Sequence, residues 1–250
     1  ALSRMIEKKT GISALTIDTD GTKLYDDGEK KTWKELFKKF AVEKDVESGR
    51  IGIIGATPLE FGGIYEEDFL KKYFAGKGFS KVVCYGMGDG LDAVKEAAAA
   101  EKNIVVSPAG IAAAKYLQQK FGTPYELFCP PEIIPEWKEK KEQVAGLLNV
   151  EELSEKKILI VHQQVLANTL REEFISANIN VASWFMMNKE QKKEQDILFK
   201  EEDDWITYIK ENEYDIIIAD SLLKKAVPFY KGEWYDLPHF AISGKKRQSV

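Results

Sequence analysis

The chain has 250 residues, 44% hydrophobic and 31% charged, a globular balance with room for one large core or two small ones. Its net charge of −5 argues against a general nucleic-acid binder, and no apolar run reaches the roughly 20 residues a membrane helix needs. Two cysteines, Cys84 and Cys129, lie far apart in no C-x-x-C pair, which argues against a disulfide framework and fits a reducing cytoplasm. With only two histidines besides, the chain alone holds too few ligands for a zinc or iron–sulfur site.

In chain order, "ALSRMIEKKTG" has an amphipathic helix pattern, no initiator Met and no signal-peptide features. It begins inside the helix, so the expectation is a piece of a longer chain. "ISALTID" is a strand candidate. "TWKELFKKFAVEK" puts Trp33, Leu36, Phe37 and Phe40 on one helical face. Then come the strand "GRIGIIGA", the helix "EEDFLKKYFAGKG", the strand "KVVCYGM" and the helix "GLDAVKEAAAA", whose alanine run predicts plain helix with a frayed end. "NIVVS" predicts a strand, "AGIAAAKYLQQKFG" a helix and "PYELF" a strand.

A Pro-rich break, "CPPEIIPEW", precedes a charged linking helix, "KEKKEQVAGLLNV". The rhythm restarts with the strand "KKILIVH", the helix "QQVLANTLREEFISAN" and the strand "INVASWFM". "NKEQKKEQDILFKEEDD" predicts a surface loop or partial helix. The helix "WITYIKENE", the strand "YDIIIADS", the short helix "LLKKAVPFY" and a last strand, "LPHFAIS", complete the chain.

Strands returning through helices make parallel sheets. The pattern predicts an α/β protein of two Rossmann-like, doubly wound parallel-sheet domains with a cleft between them. The boundaries are residues 1–47 as the remnant of a preceding domain or an N-terminal pad, 48–150 as the first Rossmann-like domain plus linking helix, and 151–250 as the second.

In such sheets ligands collect beyond the carboxyl ends of the strands. That rule selects Gly55, Ala56 and Thr57 after the first strand of the first domain, Gly88 and Asp89 after the next, and Ser107, Ala109 and Gly110 after the third. In the second domain it selects His162, Gln163, Asp220 and Ser221. "GMGDG" has the wrong place and spacing for a dinucleotide fingerprint, so its glycines suit a bare turn as well as a ligand. Ser107 is an N-cap candidate with Pro108 at the first helical position, leaving the N–H groups of Ala109 and Gly110 for an anion or for nothing. His162 is placed for a pocket, although the glutamines after it make a polar site rather than a catalytic one. Asp220 suits a helix cap. His239 opens or precedes the last strand, where a structural role competes with a ligand role. No Ser–His–Asp or Cys–His signature marks a catalytic residue, so catalytic positions stay unassigned.

The blocks "GRIGIIGATPLEFGG", "YGMGDGLDAVKEAAAAEKNIVVSPAGIAAAKYLQQKFGTPYELFCPP", "KKILIVHQQVLANTLREEF", "YDIIIADSLLKKAV" and "LPHFAISG" resemble, in that order, the nitrogenase component 1 family. The start, "LSRMIEKKTGISALTIDTDGTKLYDDG", is similar to the end of that family's first domain. The resemblance implies Rossmann-like domains, a second component 1-like subunit, an ATP-dependent reductase as electron donor, and an iron–sulfur or related cluster in the full-length complex. The first domain, which supplies the cysteines of the interface cluster, is essentially missing. Where catalytic subunits of the family carry a cluster cysteine, this chain has Val106 or Ser107. His239 falls near the family's cofactor histidine, but its surroundings, "PHFAISG", differ.

These departures imply no metal ligands and no cofactor in this fragment, and point away from nitrogen reduction. The expectation is an oxidoreductase subunit passing electrons to an unassigned substrate or cluster in the cleft. The alternative is a non-catalytic binder or assembly scaffold for a tetrapyrrole, a metal chelate or a metal cluster.

Overall fold

A computed structural model describes residues 2–19, 21–62, 66–135, 137, 155–174 and 178–244. Four strands form the first sheet: β1 (Glu47–Ile54), β2 (Lys81–Cys84), β3 (Ala100–Val105) and β4 (Tyr125–Leu127), in the order β2-β1-β3-β4. Five form the second: β5 (Lys157–Val161), β6 (Asn178–Ser183), β7 (Ile197–Leu198), β8 (Ile216–Ala219) and β9 (Glu233–Asp236), in the order β7-β6-β5-β8-β9. Every pairing is parallel. The chain therefore builds two Rossmann-like lobes, each with a switch point where strand order reverses: between β1 and β3, and between β5 and β8.

The strands are nearly continuous apolar runs because both faces of each sheet are covered. On one face of the first sheet, Ile54, Val83 and Val105 pack with Trp33 and Phe37 of α2 (Tyr25–Phe40) and with Ala113, Ala114 and Leu117 of α6 (Ile111–Phe121). The alanines let α6 approach the sheet closely. On the outer face of the second sheet, Leu159, Val161 and Ile217 meet Trp205 and Ile209 of α8 (Glu202–Glu211). A third cluster joins the lobes. Ile51, Ile53 and Ile104 from the first sheet share it with Ile158, Ile160, Ile216 and Ile218 from the second. At one side the lobes leave a cleft of about 440 Å³, lined by Ile111, Gln118, Tyr125, Leu127, Asn188 and Glu190 among others.

The remaining helices are α1 (Leu2–Thr10), α3 (Pro58–Phe61), α4 (Glu66–Gly76), α5 (Leu91–Lys95), α7 (Gln164–Glu173), α9 (Ser221–Ala226) and α10 (Phe240–Ser243). Several expectations need correction. Residues 12–18 form no strand, and Ile12 is 67% exposed with no sheet beside it. Helix α2 starts at Tyr25, well before Thr32. The alanine run is not plain helix: it makes a 3-10 turn over Ala97–Ala99 and enters β3 at Ala100, all buried. Alanine's small side chain fits that crowded entry, and tertiary packing overrides its helical propensity. "LPHFAIS" is not a strand: the last strand is Glu233–Asp236, and His239 caps α10. The expected linking helix lies outside the described residues.

Candidate functional site

The two switch points face each other and are bonded across the junction. Gln163, at the end of β5, accepts the Val165 N–H at 2.8 Å to cap α7 and donates its amide to the Val106 carbonyl of the first lobe, also at 2.8 Å. The turn after β3 is closed on itself. Ser107 is fully buried, and its hydroxyl donates to the Gly55 carbonyl at 2.7 Å. Its backbone is extended as an N-cap requires, but the side chain makes no cap bond, which corrects that expectation. The Gly110 N–H donates to the Ser107 carbonyl at 3.1 Å within a 3-10 turn. That N–H is committed, and Ala109 is buried beside it. Gly55 has φ +90°, and a Cβ there would stand 2.6 Å from the Ser107 hydroxyl, so only glycine lets the two turns meet.

Gly88 and Asp89 serve their own turn. Asp89 accepts the Cys84 N–H at 2.8 Å and pairs with Lys71 at 2.9 Å, while Gly88 lies against the Glu67 carboxylate. In the second lobe, Asp220 caps α9 through Leu222 N–H at 2.8 Å, as its position predicts, and also takes the His239 N–H at 3.0 Å. The Ser221 N–H donates to Asp236 at 2.7 Å. His162 is buried, with Nε2 3.3 Å from the Pro238 carbonyl and its ring centroid 4.6 Å from that of His239. Phe185 also stacks on His239, with ring centroids 4.2 Å apart. The fold thus gathers Gly55, Ser107 and Gln163 at one point of the junction and His162, Asp220 and His239 at another.

Around His239 lies a group of acids that sequence reasoning missed. His239 Nε2 is 3.6 Å from Glu60 Oε2, and Glu60 Oε1 accepts the Tyr25 hydroxyl at 3.0 Å. Thr57, on the same turn, donates to Glu29 at 2.7 Å. Asp26 accepts the backbone N–H of Met186, tying α2 to the second lobe. Burial pushes the Glu60 carboxyl up to about 8, helped by Asp26 and opposed by the Tyr25 hydroxyl. Burial and then the Glu60 charge push Glu29 up to about 7. Burial also raises Asp26, and Tyr25 stays neutral for the same first reason, with Glu60 and Glu29 adding to it. The available signal was Glu60 three residues after Thr57, in "TPLEF". The acids of "YDDGEK" were obscured because α2 seemed to begin after them.

A cluster of iron and sulfide is held by thiolates. Both cysteines are buried in the inter-lobe apolar cluster, and burial pushes the Cys84 thiol up to about 12. The turn at Val106–Ser107 offers a carbonyl and a hydroxyl, each already hydrogen-bonded. Among the described residues no three of His, Cys, Asp and Glu are arranged to hold a metal ion. The donor set of this junction, imidazole and carboxyl, therefore does not fit an iron–sulfur cluster.

Two parallel α/β lobes opposed at their switch points define a two-lobed protein of Rossmann type. The family model for nitrogenase component 1 type oxidoreductases matches residues 1–182, and the chain belongs to that family. The solved chains that share its fold include two nitrogenase chains. One, described as nitrogenase Cp1 at pH 5, has a TM-score of 0.60 and 12% identity over 98% of this chain and 63% of its own. The other, described as nitrogenase Cp1 at pH 6.5, has a TM-score of 0.57 and 12% identity over 85% of this chain and 57% of its own. The chain thus spans about three-fifths of the length of these neighbours. No curated protein sequence matches it. No helix among the described residues is long and apolar enough to cross a membrane.

Proposed function

We propose that the chain is part of a nitrogenase component 1-like oxidoreductase subunit that works in the cytoplasm. In this reading it pairs with a second component 1-like subunit and receives electrons from an ATP-dependent reductase. The electrons pass to a substrate or cluster held by the complex, and that substrate is not dinitrogen. The family match over residues 1–182 carries the oxidoreductase assignment. The closed turn at Val106–Ser107, with its hydroxyl spent on Gly55, supports a departure from nitrogen reduction. Within this segment the residues hold the lobes together, and any cluster takes its thiolates from elsewhere in the complex.

The test is anaerobic production of the full-length protein with its partner subunit, reductase, iron and sulfide. Expected are reductase- and ATP-dependent electron flow and no dinitrogen-dependent ammonia. A purified complex without bound iron and without a redox signal would overturn the assignment.

A second reading is favoured by one observation. A pocket of about 610 Å³ at the carboxyl edge of the second sheet is lined by Trp184, Phe185, Trp205, Leu222 and Leu223 among others, more apolar than polar. It suits a non-catalytic binder or assembly scaffold for a tetrapyrrole, a metal chelate or a cluster. Thermal stabilisation by such a ligand without redox turnover would select this reading.

A further inference from the structure

The pocket at the carboxyl edge of the second sheet has an aromatic wall and an acidic rim. Trp184 and Phe185 follow β6, and Trp205 comes from the first turn of α8, with the two indole centroids 5.9 Å apart. Leu222 of α9 adds an exposed apolar side chain. The volume, about 610 Å³, is that of a small-molecule site.

Hydrogen bonding decides what the wall can offer. The Trp184 indole N–H donates to the Glu201 carbonyl at 3.4 Å, and that of Trp205 to the Leu223 carbonyl at 3.2 Å. Both donors are spent, so the indoles give a ligand only apolar and π surface, and a π surface attracts cations. The rim carries the matching charge. The run "KEEDD" puts four acids at the start of α8. Asp204 is used by the helix itself, accepting the Lys200 and Glu201 N–H groups at 2.9 and 3.0 Å. Glu202 and Asp203 line the pocket instead, and neither carboxylate is hydrogen-bonded or ion-paired among the described residues. Lys225 is the one basic side chain of the described lining, so two carboxylates face one ammonium.

We propose that this pocket binds an organic cation: a flat cationic heterocycle or a quaternary ammonium whose charge lies between the indoles and the two carboxylates. This rests on the binder reading of the same pocket and narrows its ligand. A cationic metal chelate suits the site. A tetrapyrrole with acidic side chains does not, because the carboxylates repel it and neither indole has a donor to spare.

Calorimetric titration of the protein tests this with N-methylacridinium, with acridine at a pH where it is neutral, and with protoporphyrin. The cation should bind one to one and about tenfold more tightly than acridine. The double variant Glu202→Gln, Asp203→Asn should remove that preference while its melting temperature stays unchanged, since both side chains are exposed. Lys225→Gln should tighten cation binding, and Trp184→Ala should abolish it. Should Trp184→Ala not fold, the double variant decides. Equal affinity for acridine and its methylated cation, or an undiminished preference in the double variant, would overturn the proposal. Binding of protoporphyrin without the cation would overturn it and leave the binder reading standing. Binding of none of the three would end both.

Discussion

Ser107 shows how a residue selected for a ligand site is used to close a turn. Its hydroxyl is the donor to a buried carbonyl that strand pairing leaves over at Gly55, 52 positions away in sequence. Removing it strands that carbonyl, which costs about 1–2 kcal/mol when a buried polar group loses its partner. Ser107→Ala should therefore lower the urea-unfolding free energy by about that amount. Gly55→Ala should cost more, because it combines a positive φ with a methyl group 2.6 Å from the Ser107 hydroxyl. Ser107→Ala at no cost would show that the carbonyl finds another donor. The sequence made Ser107 legible as the end of a strand, since apolar residues stop there and Pro108 follows. It did not make the partner legible: the Gly55 carbonyl comes near only when β1 and β3 pair. Glu60 stands in "TPLEF" as a visible acid, but its burial was hidden for a similar reason. An acid in a β–α turn reads as solvated until a second lobe covers it.

At the scale of elements, Arg171 and Asp196 show what anchors a short strand. Asp196 lies in the long polar stretch expected to be a surface loop or partial helix, yet it is 3% exposed. Arg171 of α7 donates to both its oxygens, at 2.8 and 3.0 Å, and the backbone N–H groups of Val181 and Lys193 add two more bonds. One carboxylate thus ties α7, β6 and the turn before β7. Breaking a buried ion pair leaves an uncompensated charge and costs about 3–5 kcal/mol. Arg171→Met should lose about that much in denaturant unfolding. The double variant Arg171→Met, Asp196→Asn should lose less than the sum of the single changes, and additive losses would show that the two residues act apart. Strong apolar runs such as "KILIV" and "DIIIA" announced β5 and β8, because strands covered on both faces need little else. Strands β7 and β9 were missed: Ile197–Leu198 is two residues long, and Glu233–Asp236 is an edge strand with charged ends. Their place is set by β6 and β8 rather than by their own composition.

For the whole molecule, the question is whether two lobes with separate sheets behave as two folding units. The inter-lobe cluster answers through packing, since Ile53 and Ile160 belong to one fully buried core. Polar contacts reinforce it: Gln163 to Val106, and the Cys129 N–H to Thr169 at 3.3 Å. The exposed Lys115–Glu190 pair, at 2.6 Å, also spans the lobes, but solvent screens such a pair and leaves it little weight. Isoleucines buried against each other contribute far more, and neither lobe can lose its partner without exposing them. Unfolding should be a single transition by calorimetry, with calorimetric and van't Hoff enthalpies equal. Ile53→Ala removes packing from the shared cluster and should cost about 2–5 kcal/mol, shifting that one transition downward without splitting it. A chain whose lobes were independent would instead show two transitions, with Ile53→Ala moving only the first lobe's.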